Sequence, residues 1–160
     1  MAIKPILFNT EMVRAILDGR KSCTRRLAKF LPGDILYVRE TWKKAPNGYY
    51  YYESWQRNDI ADVTKWKPSI HMPKEAARIW LKVTDVRVER LQDITPQGAW
   101  KEGARCSCLH PVPDCAGNKT AFVNIWNSTI KKADLDRYGW DANPYVFVIE
   151  FIRIDKPEEI

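Results

Sequence analysis

The stretch that decides the fold is Pro144-Tyr-Val-Phe-Val-Ile-Glu-Phe-Ile-Arg-Ile154. It is rich in β-branched and aromatic residues, and after its first position it has no turn-forming residue, so it predicts a long strand inside a sheet. A second long strand is predicted from Arg78 to Leu91. There the apolar alternation changes phase at Thr84-Asp85, which is typical of a β-bulge or a sharp bend.

The sequence upstream of these strands predicts a third strand and several short helices. Leu31-Pro-Gly-Asp34 is a strong turn signal, and the strand that follows is predicted from Ile35 to Thr41. Helices are predicted after Asn9 or Thr10, from Thr95-Pro96 to Glu102, and from about Lys119 to Lys132. Strands and helices without regular alternation predict an α+β fold: a mixed, mostly antiparallel β-barrel with short helices at its ends.

Length and composition predict a single domain over residues 1–160. The 160 residues are 45% apolar and 29% charged, which suffices for one core. Two segments look like additions to it, an aromatic-rich insertion at about 43–73 and a Cys-rich loop at about 105–117. The longest uncharged run has eleven residues, Thr120 to Ile130, whereas a membrane-spanning helix needs roughly 20. We therefore expect a cytoplasmic protein without a membrane partner or a signal peptide.

The positive charge is concentrated near the start of the chain. The net charge is +6, and residues 1–44 hold ten basic and four acidic residues, whereas the other 116 residues hold sixteen of each sign. A local basic patch predicts an anionic or phosphate-bearing partner. The alternative is a solvated, charged loop without a partner.

The cysteines raise the question of a metal. Cys106, Cys108 and Cys115 supply four potential soft ligands together with His110. The Cys-x-Cys spacing lacks the usual gap of zinc knuckles, and no second ligand pair follows. The prediction is therefore an irregular loop with no metal and no cofactor, and zinc binding stays open as the alternative. Cys23 is interpreted as a packing residue.

A loop between the first helix and the Pro-Gly turn carries a potential nucleophile and a potential base. In Gly19-Arg-Lys-Ser-Cys-Thr-Arg-Arg26, Lys21 lies three residues before Thr24. A threonine hydroxyl attacks only if another group accepts its proton, and an adjacent lysine can do this. A carboxylate is also needed, and spacing alone does not choose between Glu40 and Glu102.

Four segments together resemble the ASCH domain, a branch of the PUA-like barrels. They are the loop 19–26, Pro32-Gly-Asp-Ile-Leu36, Trp100-Lys-Glu-Gly103 and the closing strand Val146 to Phe151. In addition, Arg39-Glu-Thr-Trp42 and Trp140-Asp-Ala-Asn-Pro144 resemble the larger bacteriophage and prophage members. The resemblance implies a small barrel with a cleft that accepts RNA or a nucleoside.

One bacterial ASCH subgroup consists of amidohydrolases that remove the acyl group from N4-acetylcytidine and similar substrates. The resemblance implies that Thr24 attacks the acyl carbonyl, that Lys21 takes its proton and that Glu102 relays protons to the leaving amine. Arg26 would help to hold the oxyanion. The predicted catalytic residues are thus Lys21, Thr24 and Glu102, and the predicted substrate-binding residues are Arg26, Arg39, Glu40 and Trp42. No metal is required by this metal-independent reaction.

The insertion and the Cys-rich loop depart from the small subgroup, so the substrate stays open: a nucleoside, a nucleobase or a residue within RNA. The alternative function is a non-catalytic RNA-binding module. In that hypothesis Lys21, Arg25, Arg26 and Arg39 contact phosphates, while Trp42 or the tyrosines at 49–52 stack a base. A ribonuclease ranks lower because no histidine lies near the loop.

Overall fold

A computed structural model describes residues 2–58 and 65–158. In this part of the chain, five strands form one sheet in the order β1-β3-β6-β7-β2. The strands are β1 (Ile3–Leu7), β2 (Cys23–Arg26), β3 (Ile35–Arg39), β6 (Trp80–Arg90) and β7 (Tyr145–Ile154). Strand β1 runs parallel to β3, and every other neighbouring pair is antiparallel. The predicted mixed, mostly antiparallel α+β fold is confirmed.

The two longest strands, each of which the sequence predicts, pair with each other. Strand β7 lies between β6 and β2, so it is an interior strand. Along β6, Val83 pairs with Phe151 and Asp85 with Glu150, which leaves Thr84 as the extra residue of a bulge. The phase change read from the apolar pattern is thereby confirmed.

Short helices pack around this sheet. They are α1 (Thr10–Leu17), α2 (Tyr52–Arg57), α3 (Pro96–Lys101), α4 (Gly117–Thr129) and α5 (Leu135–Tyr138). The side chain of Asn9 caps α1 by accepting a hydrogen bond of 2.9 Å from the Met12 amide. The hydroxyl of Thr95 caps α3 in the same way, at 3.0 Å from the Gly98 amide. None of the helices in the described part of the chain is long and apolar enough to cross a membrane.

The aromatic-rich segment forms a separate hairpin and a small core. Strands β4 (Trp42–Ala45) and β5 (Gly48–Tyr51) pair with each other and lead into α2. The sequence predicts Trp42 at the end of the strand that begins at Ile35, and this is wrong. Trp42 begins β4, where it is buried against Met72 and Ala76. Residues 59–64, which the predicted insertion includes, lie outside the described residues. That residues 1–160 form one domain stays a prediction.

Buried ion pairs attach this segment to the sheet and to α1. Glu53 of α2 contacts Arg14 of α1 at 3.4 Å and Arg78, which precedes β6, at 3.2 Å. Arg78 also binds both carboxylate oxygens of Glu40, at 2.9 and 3.0 Å. Glu40 and Glu53 are both almost fully buried, so Arg78 compensates two charges that water cannot reach.

Candidate active site

A cleft of about 760 Å³ contains most of the predicted site residues. Its polar wall includes the catalytic candidates Lys21, Thr24 and Glu102, and also Arg25, Arg26 and Arg39. Its apolar lining includes Phe122, Ile125 and Trp126 of α4, together with residues of β1 and of the segment between β2 and β3. A concave site with an apolar lining and a few converging polar groups is the usual form of a small-molecule site.

Backbone contacts fix the loop that carries Lys21 and Thr24. The Ser22 amide donates to the Lys101 carbonyl at the end of α3, at 2.9 Å, and the Ser22 carbonyl accepts from the Phe151 amide at 3.1 Å. Thr24 then lies in β2, opposite Ile149 of β7. The loop is therefore held between α3 and the interior strand of the sheet.

Gly103 lets the end of α3 come close to this loop. Its φ is +90°, a conformation that residues with a Cβ rarely adopt. A Cβ at this position would also lie 3.2 Å from the Ala15 Cβ and 3.6 Å from the Lys21 Cβ. The glycine that follows Glu102 thus allows close packing between α1, Lys21 and the carboxylate.

Glu102 and Lys21 meet in the structure. The Lys21 ammonium donates to the Glu102 carbonyl at 2.9 Å and to its carboxylate Oε1 at 3.1 Å. The other carboxylate oxygen accepts from the Arg25 guanidinium at 3.0 Å. All three side chains are almost fully buried. Of the two carboxylates that the sequence leaves open, Glu102 is the one that contacts Lys21.

Thr24 is held by a different cation. Its hydroxyl oxygen accepts a hydrogen bond from Nε of Arg26 at 3.2 Å, while Nη2 of Arg26 donates to the Leu7 carbonyl at 2.7 Å. Among the described residues, no hydrogen bond joins Lys21 to the Thr24 hydroxyl, since the lysine donates to Glu102. Thr24 is itself buried to 3% exposure, although it lines the cleft.

Phe8 supports both of these cations. The Arg26 guanidinium lies 4.7 Å from the centre of the Phe8 ring, and the Lys21 ammonium lies 5.4 Å from it. A ring face attracts cations and excludes water from one side of them. Phe8 is not predicted as a site residue from the sequence, where its position just before the Asn9 helix cap is the one local signal of a fixed orientation.

Arg25 plays a different part from the one considered in the RNA-binding hypothesis. Its guanidinium is buried, bonded to Glu102, and lies 5.9 Å from the Phe122 ring. It therefore orients a carboxylate instead of presenting its charge to a phosphate. Neither the position of Arg25 in its strand nor its distance of 77 residues from Glu102 in the sequence predicts this pairing.

Cys23 is a packing residue in the structure as well. Burial raises the pKa of its thiol to about 12, and the negative charge of Glu102 acts in the same direction. A thiol that stays protonated at neutral pH is a poor nucleophile. Thr24 lines the cleft and Cys23 does not.

Of the other predicted substrate-binding residues, Arg39 lines the cleft, but Glu40 and Trp42 do not. Arg39 lies 5.7 Å from the Tyr37 ring, and its Nε is buried with no hydrogen-bond partner among the described residues. Glu40 points instead to Arg78, and Trp42 donates from Nε1 to the Pro68 carbonyl at 3.2 Å. The chain leaves β3 after Arg39, so consecutive residues face different partners. Thr41 and Ser69 line the cleft in their place.

Three cysteines of the Cys-rich loop converge away from the cleft. The sulfur atoms of Cys106, Cys108 and Cys115 all lie within 4.8 Å of one another, and His110 is not part of this group. These are the residues that could hold a metal ion in the described part of the chain. The sequence shows them as potential ligands, although their spacing favours an irregular loop without a metal.

Comparisons with known proteins identify the fold. No protein-family model matches the sequence, and no curated protein matches it. Among solved structures, the chain is similar to the ASCH domain from Lactobacillus crispatus JV V101, with a TM-score of 0.54 and 12% identity over 97% of this chain and 81% of that one. It is also similar to the hypothetical protein PH0355, with a TM-score of 0.48 and 14% identity over 96% of this chain and 100% of that one. The likeness to the first structure shows that the chain has the ASCH fold.

Proposed function

We propose that this ASCH-fold protein is an amidohydrolase that removes the acyl group from N4-acylated cytidine or cytosine. The observation that supports it most directly is the buried contact between Lys21 and Glu102 in the same cleft wall as the Thr24 hydroxyl. These are the three groups that the resemblance to the ASCH amidohydrolases implies for catalysis. A module that only binds RNA needs the cations but not this combination.

In the proposed first half-reaction, Thr24 Oγ1 attacks the carbonyl carbon of the acyl group. Lys21 accepts the hydroxyl proton after passing one of its own to Glu102, to which it is hydrogen-bonded at 3.1 Å. The carbonyl oxygen becomes an oxyanion that Arg26 stabilises, because its guanidinium already contacts the attacking hydroxyl. Collapse of this intermediate breaks the carbon–nitrogen bond, and the N4 amine takes the proton back from the Lys21 and Glu102 pair.

In the second half-reaction, water attacks the acyl ester on Thr24. The same pair removes the proton of the water and returns one to the threonine oxygen, so that the net products are a carboxylic acid and the amine. Arg25 holds the second oxygen of Glu102 throughout, which leaves Oε1 directed at Lys21. Nucleophile, base and oxyanion donor all come from side chains, so the proposed chemistry uses no metal.

The lining of the cleft fits such a substrate. Phe122, Ile125 and Trp126 offer an apolar wall to a planar base and its acyl group. Arg39 lines the cleft, where its guanidinium can supply charge-assisted hydrogen bonds to a phosphate or a base oxygen. The same residue would serve a free nucleoside or a nucleotide within RNA.

An RNA-binding module without catalysis is the second candidate. The basic excess of residues 1–44 and the position of Arg39 in the cleft lining favour it. Two of its predicted contacts are weakened, because Arg25 is bonded to Glu102 and Trp42 is buried in the hairpin core. A ribonuclease has less support, since neither His71 nor His110 lines the cleft.

The test is to follow the ultraviolet spectrum of N4-acetylcytidine with the purified protein, because loss of the acyl group changes the absorbance of the base. Thr24→Val keeps the shape of the side chain but removes its hydroxyl, and Thr120→Val makes the same change at an exposed site of α4. We expect conversion to cytidine by the parent and Thr120→Val, and a loss on the order of 10³-fold or more for Thr24→Val.

Absence of conversion by a folded parent protein would refute the amidohydrolase. Titration of labelled single-stranded RNA at several salt concentrations would then test the second candidate. Phosphate contacts predict binding that weakens steeply as salt increases, and that weakens uniformly across sequences when Arg39 is changed.

A further inference from the structure

We propose that Cys106, Cys108 and Cys115 bind one zinc ion, which ties the segment after Glu102 to the beginning of α4. The proposal does not rest on the proposed function, since these residues lie outside the cleft lining. It rests on the convergence of three thiols, on a loop built to hold them together and on the charges around them.

The distances between the thiols fit a single soft metal ion. All three sulfur atoms lie within 4.8 Å of one another. Zinc–sulfur bonds of about 2.3 Å at tetrahedral angles place two sulfur ligands about 3.8 Å apart. Small side-chain rotations therefore suffice to bring the three sulfurs onto one ion. Thiolate ligands favour zinc and other soft cations over magnesium and calcium.

Gly117 makes room for the cluster. A Cβ at this position would lie 2.5 Å from the Cys106 sulfur and 3.7 Å from the Cys115 sulfur. The first distance is far below any ordinary contact, so only glycine fits here without movement of the cluster. The first residue of α4 is thus adapted to the presence of two of the proposed ligands.

Asn118 fixes the loop from its interior. Its side chain is fully buried and accepts from the Cys106 amide at 2.7 Å, while it donates to the carbonyls of Val112 and Pro113 at 2.9 and 3.2 Å. One buried amide therefore holds both arms of the loop, in the way that residues around metal ligands fix their orientation. An incidental, irregular loop needs no such support.

The surroundings complement the charge of the site. Three thiolates and one Zn²⁺ carry a net charge of −1, and the surface pocket that includes Cys106 is also lined by three arginines and one carboxylate, which are Arg14, Arg20, Arg105 and Glu11. Among the described residues no fourth ligand atom belongs to the cluster, so a water molecule would complete the coordination. His110 is not required as a ligand in this arrangement.

The ion would join two walls of the cleft. Cys106 follows Glu102 by four residues, and Cys115 precedes Gly117, the start of the helix that carries Phe122 and Trp126. Zinc removal is therefore expected to lower the stability of the apolar wall and to leave Lys21, Thr24 and Glu102 chemically intact. A structural metal contributes its binding free energy to folding in this way.

The test is the metal content of the reduced, purified protein, followed by titration of the chelator-treated protein with Co²⁺. We expect about one equivalent of zinc per chain and an intense cobalt–thiolate absorption that saturates at one equivalent. Zinc should also lower the number of thiols that react with a thiol reagent by three, the size of the cluster. The thermal midpoint of unfolding should increase with zinc concentration.

Matched variants identify the ligands. Cys108→Ser changes an exposed residue, so it tests binding without threatening the fold, and circular dichroism checks this. It and Cys115→Ser should weaken zinc binding at least about 100-fold, by analogy with the effect of removing groups that support metal ligands. Cys23→Ala and His110→Ala should bind zinc as the parent does. Thr24→Val should also bind normally, so this proposal and the proposed activity can fail separately.

Reduced protein that holds no zinc, shows no cobalt–thiolate absorption and leaves its loop thiols reactive would overturn the proposal. Full zinc affinity in Cys108→Ser or Cys115→Ser would also overturn it, as would loss of binding in His110→Ala, because the ligands would then differ from the three thiols named here.

Discussion

Glu102 and Arg25 form a buried ion pair, with 3.0 Å between Oε2 and Nη1, although 77 residues separate them in the sequence. The pair fixes the carboxylate so that its other oxygen meets Lys21. Glu102 is thus not a free carboxylate at the surface of the cleft. Its geometry depends on a cation that has no place in the proposed proton transfers.

Removal of Arg25 is expected to affect both stability and turnover. Among the described residues, Arg25→Met leaves Glu102 with Lys21 as its one charged partner, in a place that water hardly reaches. Breaking a buried pair costs about 3–5 kcal/mol of unfolding free energy, measurable by urea denaturation. With N4-acetylcytidine we expect a decrease in kcat larger than any change in KM. Lys101→Met, at an exposed site on α3, is the control. A parent-like kcat in folded Arg25→Met would show that Glu102 needs no positioning by Arg25.

Arg39 is expected to contribute to binding and not to folding. Its Nε has no hydrogen-bond partner among the described residues, so Arg39→Gln removes no internal contact of that group. A charge-assisted hydrogen bond to a ligand is worth about 1.5–3 kcal/mol, so KM, or the Kd for RNA, should increase on the order of 10-fold or more. Arg137→Gln, at an exposed site, should leave both constants unchanged. An unchanged constant in Arg39→Gln would place the ligand elsewhere in the cleft.

Arg78 is expected to contribute to folding and not to binding. Arg78→Met leaves Glu40 without its partner and removes one of the partners of Glu53, which should lower the unfolding free energy by about 3–5 kcal/mol. Burial raises the pKa of Glu40, and the charge of Arg78 opposes this. Without Arg78, the pKa of Glu40 lies further above its ordinary value of 4.5, so the deficit relative to the parent should shrink as the pH falls toward about 4.5 and stay constant below it. A deficit that is constant with pH would contradict this.

Cys23 is expected to make the unfolding free energy decrease at alkaline pH. Its thiol pKa is raised to about 12 in the folded protein, chiefly by burial, whereas an unfolded thiol ionises near 9.0. As the pH rises, the Cys23 thiol therefore ionises first in the unfolded state. Its contribution to the unfolding free energy is complete below pH 9 and is lost between about pH 9 and 12. Cys23→Ala should show a smaller alkaline loss of stability than the parent. Equal losses in the two proteins would contradict the raised pKa.

The parts of the fold that the sequence predicts are those set by local patterns. The long strand β7 follows from its composition, the bulge at Thr84 from a change of phase, and the start of α1 from Asn9. The resemblance to a family implies roles for Lys21 and Glu102, but it does not predict the contact between them. This contact joins residues 81 positions apart, and nothing in their spacing encodes it.

The run Arg39-Glu40-Thr41-Trp42 shows why the remaining site residues could not be predicted. Placed on one strand end, these residues look like a single binding surface. In the structure Arg39 lines the cleft, Glu40 binds Arg78, and Trp42 is buried in the hairpin core. Each direction is decided by a distant partner, 38 residues away for Glu40, so local periodicity carries no information about it.

Arg26 also connects the two edge strands of the sheet. Strands β1 and β2 are the two edges of the five-stranded sheet, and the guanidinium that holds the Thr24 hydroxyl on β2 reaches the Leu7 carbonyl at the end of β1. Edge strands are where a sheet opens most easily, because each has only one neighbour. When the two edge strands move apart, Arg26 cannot keep its hydrogen bonds to both of them. Loss of the hydrogen bond to the Thr24 hydroxyl and separation of the two edge strands are therefore coupled. A contact that holds β1 and β2 together also keeps the hydroxyl in its orientation.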